Sequence, residues 1–90
     1  MATSRISGTV VDTAGRPLAG VPVFVESAPV AMPDIAVLTD EGGGFVVPAP
    51  ATGSYVVGCT GERGERMSAR VEVDVDREPE VAVRLALPLP

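Results

Sequence analysis

Few side chains in this chain can do chemistry, and their spacing limits what that chemistry could be. The acidic groups crowd one stretch, Glu72, Asp74, Asp76, Glu78 and Glu80. Calcium takes several hard oxygen ligands, so such a run is the first place to look for a Ca²⁺ site. The spacing argues against one. On an extended strand Glu72 and Asp74 point the same way about 7 Å apart, too far for short side chains to share an ion. No D-x-D-x-D-G loop accompanies them. A solvated strand face with an acidic turn, which discourages edge-to-edge aggregation, fits better. Asp34, Asp40 and Glu41 form a second group of carboxylates. An acid–base pair needs a fixed separation and one raised pKa, and no neighbouring residues suggest a pocket to bury either. Asp40 reads instead as the cap of its own turn. Cys59 is the single cysteine, so no internal disulfide can form. A reactive thiol wants a nearby base or a resolving cysteine. Alternation places Cys59 inward with Tyr55 and Val57, where it fills core.

The missing residue types exclude more. The chain has no His, Lys, Trp, Asn or Gln. Ser-His-Asp and Cys-His arrangements and ordinary histidine metal sites therefore cannot be built. Schiff-base chemistry and Lys–Asn isopeptide bonds are excluded too, as is N-linked glycosylation. No enzyme site, cofactor site or metal site is expected. The net charge of −5 argues against nucleic acid, which wants clustered cations and stacking rings. It also disfavours an anionic membrane surface, and no run has the length of a transmembrane helix. Met1-Ala2-Thr3-Ser4-Arg5 leads straight into a strand pattern without a signal-type apolar stretch. That favours a cytoplasmic protein, or a cytoplasmically assembled particle, unless the chain is excised from a longer one.

These residues must be positioned by strands. Sixteen valines in ninety residues suit a pleated, half-buried surface. Alternation recurs between Gly- and Pro-rich turns. It predicts strands over 5–12, 21–26, 36–39, 45–47 and 54–60, and two more in the last third. No apolar stripe of helical period occurs, so no helix longer than a turn is expected. Pro22 lacks an N–H, which suggests an edge or half-paired strand. Val71, Val73 and Val75, then Val81, Val83, Leu85 and Leu87, alternate with charged or small residues around 76–80. This predicts a closing hairpin with Val75 facing Val81 and Glu72 facing Arg84. About seven short strands imply an all-β sandwich or barrel in one domain, 1–90.

The order of the turns resembles the carboxypeptidase regulatory-like domains. Gly8-Thr9-Val10-Val11-Asp12 is similar to their opening G-x-V-x-D. Gly15-Arg16-Pro17-Leu18-Ala19-Gly20-Val21-Pro22-Val23 is similar to G-x-P-L-x-G-V-x-V. Thr39 to Phe45, through Asp40 and Gly43, is similar to T-D-x-x-G-x-F, and Gly53-Ser54-Tyr55 to G-x-Y. The resemblance implies a transthyretin-like, Ig-like Greek-key β-sandwich of about seven strands. It also implies an accessory role: beside a carboxypeptidase, on surface and adhesion proteins, or in phage-tail and contractile injection particles. It brings no catalytic residues, because its motifs are turn and core positions. Transthyretin-like hydrolases depend on histidine-containing sites, which this chain cannot form.

A non-catalytic structural or protein-interaction module is therefore expected, presenting loops or an edge strand to a protein partner or a second copy. A particle component is the first alternative. A carbohydrate-binding module is the second, disfavoured with small-molecule ligands generally by the scarcity of aromatic platforms. Tyr55 after Gly53 reads as a tyrosine corner. The candidate contacts are Val30, Met32 and Ile35 in the apolar loop 27–35, and Leu87 and Leu89 in the tail; the equal alternative for the loop is that Val30, Met32 and Ile35 fold back to close one end of an aromatic-poor sandwich.

Overall fold

The alternating segments fold as seven strands in the computed structural model, which describes residues 3–33 and 36–88. They are β1 (Ser4–Val11), β2 (Pro22–Ser27), β3 (Ala36–Leu38), β4 (Gly44–Ala49), β5 (Gly53–Thr60), β6 (Arg66–Val73) and β7 (Glu80–Ala86). There is no helix among the described residues. One sheet has the order β4-β1-β7 and the other β3-β2-β5-β6. All pairings are antiparallel except β1 with β7, which is parallel. This is the expected all-β Greek-key sandwich.

The inward positions make one apolar core. Ile6, Val10, Val23, Phe45, Val47, Tyr55, Val57, Val71, Leu85 and Leu87 are buried in it together with Cys59. Side chains of this size are worth about 1.5–3 kcal/mol each when fully removed from water. The only large rings in that core are Phe45 and Tyr55, so close approach of backbone replaces bulk. Gly8 and Phe45 lie opposite each other on β1 and β4. A Cβ on Gly8 would strike the Val83 carbonyl and come within 2.7 Å of the Phe45 ring. Gly43 packs as tightly. Its φ is 75°, its carbonyl accepts the Val10 N–H at 2.8 Å, and a Cβ there would lie 2.6 Å from the Val10 oxygen.

Two expectations are corrected. β6 and β7 do not form a hairpin: β6 pairs with β5 and β7 with β1, so the connection 74–79 carries the chain from one sheet to the other. Val75 does not face Val81, and Glu72 lies opposite Ser54 rather than Arg84. Pro22 is not on an edge strand, since β2 lies between β3 and β5. It is tolerated as the first residue of its strand: it pairs with Leu38, and the β5 ladder begins only at Val23.

Gly8→Ala is expected to destabilise the fold by about 1–3 kcal/mol through overpacking. A urea titration would show a lower midpoint at unchanged slope; an unchanged midpoint would mean that the Val83 carbonyl and the Phe45 ring both move aside freely.

Candidate interaction surfaces

The polar side chains singled out by the motifs hold turns. Asp12 Oδ1 accepts the Ala14 and Arg16 N–H groups at 2.9 and 3.0 Å, and Oδ2 accepts Arg16 Nε at 3.0 Å. The Arg16 N–H, helped by that of Ala14 and by the Arg16 guanidinium, holds the Asp12 carboxyl below its ordinary range. Gly15 closes this turn, donating to the Asp12 carbonyl, and Pro17 bridges back to Val11. Asp40 caps its turn as expected, with Oδ1 accepting the Gly42 and Gly44 N–H groups at 2.9 and 2.8 Å. The Tyr55 hydroxyl donates to the Ala51 carbonyl at 2.6 Å and accepts the Ala51 N–H at 3.0 Å, a tyrosine corner. Gly53 precedes it with a φ of 148°.

Thr39 does more than its place in a motif announced. Its buried hydroxyl donates to the Leu18 carbonyl at 2.6 Å and accepts the Val21 N–H at 2.9 Å. Its own N–H bonds the Val21 carbonyl, and its carbonyl takes the Gly20 N–H. The connection before β2 is thereby latched to the one before β4. A threonine ahead of a capped turn was the available signal.

The acidic run is dispersed. Glu72, on β6, accepts from Ser54 Oγ at 2.6 Å and Arg70 Nε at 3.1 Å. The Ser54 hydroxyl and then Arg70 lower its pKa. Glu80, on β7 in the other sheet, accepts from Arg5 Nε at 2.5 Å and Ser7 Oγ at 3.1 Å, and Arg5 first lowers its pKa. Asp74 caps the intervening connection through the Asp76 N–H. No three His, Cys, Asp or Glu side chains among the described residues are placed to hold a metal ion.

The candidate contact residues fall into different places. Val30 is 43% exposed. Met32 is partly buried and packs on the core. Leu87 has no exposed surface: its N–H bonds the Val11 carbonyl and its side chain enters the core, so it is no contact on an exposed tail. Asp34, Ile35 and Leu89 lie outside the described residues. The apolar side chains left most in water are Leu38 (68%) on β3 and Val46 (53%) on β4, then Val30 and Met67.

The two flanks of the sandwich differ. On one, the inward residues of β4 (Phe45, Val47 and Ala49) are all buried. That edge is blunted by Pro48 and by the three-residue length of β3. On the other, β6 and β7 are eight and seven residues long, free of proline. Their inward Ala69, Val81 and Val83 keep part of their surface in water, and Met67 is exposed. A recess of about 400 Å³ indents one end, with Leu18, Val21 and Leu87 inside and Glu62, Arg63 and Glu65 at its lip.

The model of the family described as the carboxypeptidase regulatory-like domain matches residues 5–86. The chain belongs to that family. The match covers β1 through β7. No protein with a curated description matches the sequence. Among solved structures, the major pilin subunit BcpA of Bacillus cereus is similar at 17% identity and a TM-score of 0.68, over 97% of this chain and 30% of that one. A 3-chlorocatechol 1,2-dioxygenase of Rhodococcus opacus is similar at 15% identity and 0.73, over 97% and 60%. A DUF3823 family protein of Parabacteroides merdae is similar at 17% identity and 0.66, over 97% and 46%. The chain thus spans between 30% and 60% of the length of these proteins.

Two predictions follow from the side chains of this regulatory-like domain. Cys59 is 1% exposed, and burial, then the Glu26 carboxylate, pushes its thiol pKa up. A disulfide reagent should leave it unmodified in the native protein at neutral pH and react on unfolding; rapid native modification would contradict the packing. Because the Asp12 pKa is lowered on folding, its contribution is fully present above the ordinary aspartate value of about 3.9. It is lost as pH falls through the lowered value. Asp12→Asn should therefore reduce stability at pH 7, with the deficit shrinking below about pH 4. Thermal melts of both proteins across pH measure this.

Proposed function

We propose that this regulatory-like domain is a non-catalytic protein-interaction module, which acts by holding strand edges and apolar side chains rigidly towards a protein partner. One observation carries the reading: how the side chains are used. Those with chemical capacity (Asp12, Asp40, Tyr55, Cys59, Glu72 and Glu80) are engaged in turns, core or cross-strand pairs. Among the large apolar side chains, Leu38, Val46, Val30 and Met67 are left in water beside the exposed charges. Exposed apolar side chains serve contact where a partner gathers them under one surface. A fold shared with a pilin domain and a dioxygenase selects neither activity. Of the three rings, Tyr55 and Phe45 are buried and only part of Phe24 reaches solvent. Stacking on a sugar has little support from that.

The chain has no lysine. Carbodiimide treatment of the domain in its natural setting should therefore couple its carboxylates to the amines of a neighbouring protein. The expected result is coupling at carboxylates around one apolar side chain, reduced by Leu38→Asp or Val30→Asp and unaffected by Asp12→Asn. Turnover of a small substrate, or glycan binding lost with Phe24→Ala, would replace this reading with another.

A further inference from the structure

Strand β7 is the last in its sheet, and its unpaired edge has a pattern that matches itself. Leu87 donates its N–H to Val11, and the Pro79 carbonyl accepts from Arg5. Backbone groups along a strand alternate sides. Odd-numbered residues therefore direct theirs towards β1, and Glu80, Ala82, Arg84 and Ala86 direct theirs off the sheet. The same four residues carry the outward side chains. Among the described residues β7 pairs with no strand but β1, so the free side of these groups is an open template for another strand. Charges also protect edges, but those of β7 have both signs, so they select a register as well as repel wrong ones.

We infer that a second copy of this chain adds to that edge, β7 against β7 and antiparallel, with Ala82 on the two-fold axis. This goes beyond the proposed interaction role: it is a self-contact on the β7 edge, separate from the amine-bearing partner of the carbodiimide experiment. In that register Glu80 lies opposite Arg84 of the second copy, and Arg84 opposite its Glu80. Ala82 faces Ala82, and these are the hydrogen-bonded pairs. Val81 meets Val83 on the inner side, where both are half-exposed in one copy. A two-fold contact repeats each pair, so one favourable charge pair becomes two. Neighbouring registers lose this. Centring on Val83 leaves both charges opposite alanine, and centring on Arg84 sets like charges face to face. Centring on Val81 moves Arg84 past the end of the partner strand.

The neighbouring edge has no such vacancy. On β6, Arg66 pairs with Glu26, and Arg70 with Glu72. Arg84 pairs with no carboxylate among the described residues. Glu80 already holds Arg5, and in the pair it would lie between two guanidinium groups.

The test is sedimentation equilibrium of the whole chain over a concentration series, with three variants. The wild type should reach a dimer at high concentration. Ala82→Pro removes an N–H that the monomer leaves unbonded, so the melting temperature should change little. Dimerisation should weaken by about tenfold or more, the loss of one or two hydrogen bonds. Ala82→Cys should form an intermolecular disulfide, since its two copies would lie about 5.5 Å apart at Cα. Ala86→Cys, offset from the axis, should not. A dimer indifferent to Ala82→Pro, or equal cross-linking at both cysteines, overturns the inference and moves self-contact elsewhere. A wild type monomeric throughout also overturns it, while leaving the interaction role to the carbodiimide experiment.

Discussion

Without β1 the three-stranded sheet would have no members that touch, because β4 and β7 each pair only with β1. β1 holds β4 on one side through the Gly8–Phe45 approach and β7 on the other through a parallel ladder. Neither pairing is local. The first strand waits for residues 44–49 and then for residues 80–86, so loop-closure entropy opposes every contact in this sheet. The other sheet is built from sequence neighbours, β2 with β3 and β5 with β6, plus one longer pairing. Much of what holds the molecule together is thus the capture of β1 between distant partners.

That division explains what was legible in the sequence. Strand identity, turn chemistry and the inward face are local properties, and the period-two pattern carries them. Asp40, Tyr55 and Cys59 occupy the environments that their spacing implied. The connection 74–79 departs from the expected hairpin because alternation with an acidic loop describes a hairpin and a sheet-to-sheet crossing equally well. Local pattern says which way a side chain faces; it does not say whether the next strand lies beside the last or across the core. Pro22 marks the same gap, since a proline at the start of an interior strand obeys the same rule as one on an edge.

The candidate surface was less legible. Leu87 resembles a loose apolar tail in sequence, yet a backbone bond to Val11 draws it into the core. Leu38 is ordinary as a letter and is exposed only because β3 is short and lies at an edge. Contact surfaces of this kind depend on which strand ends a sheet, and that is decided by long-range pairing.

The parallel alignment of β1 and β7 has a mechanical consequence. A chain that enters at the start of β1 and leaves at the end of β7 enters and leaves at opposite ends of that pair. Tension between the two points would load the ladder in shear, with its hydrogen bonds strained together rather than peeled apart one by one. Resistance to force is a matter of unfolding rate and not of equilibrium stability. A domain 42 Å along its longest axis can on this account behave as a stiff link under pull, whatever its equilibrium stability.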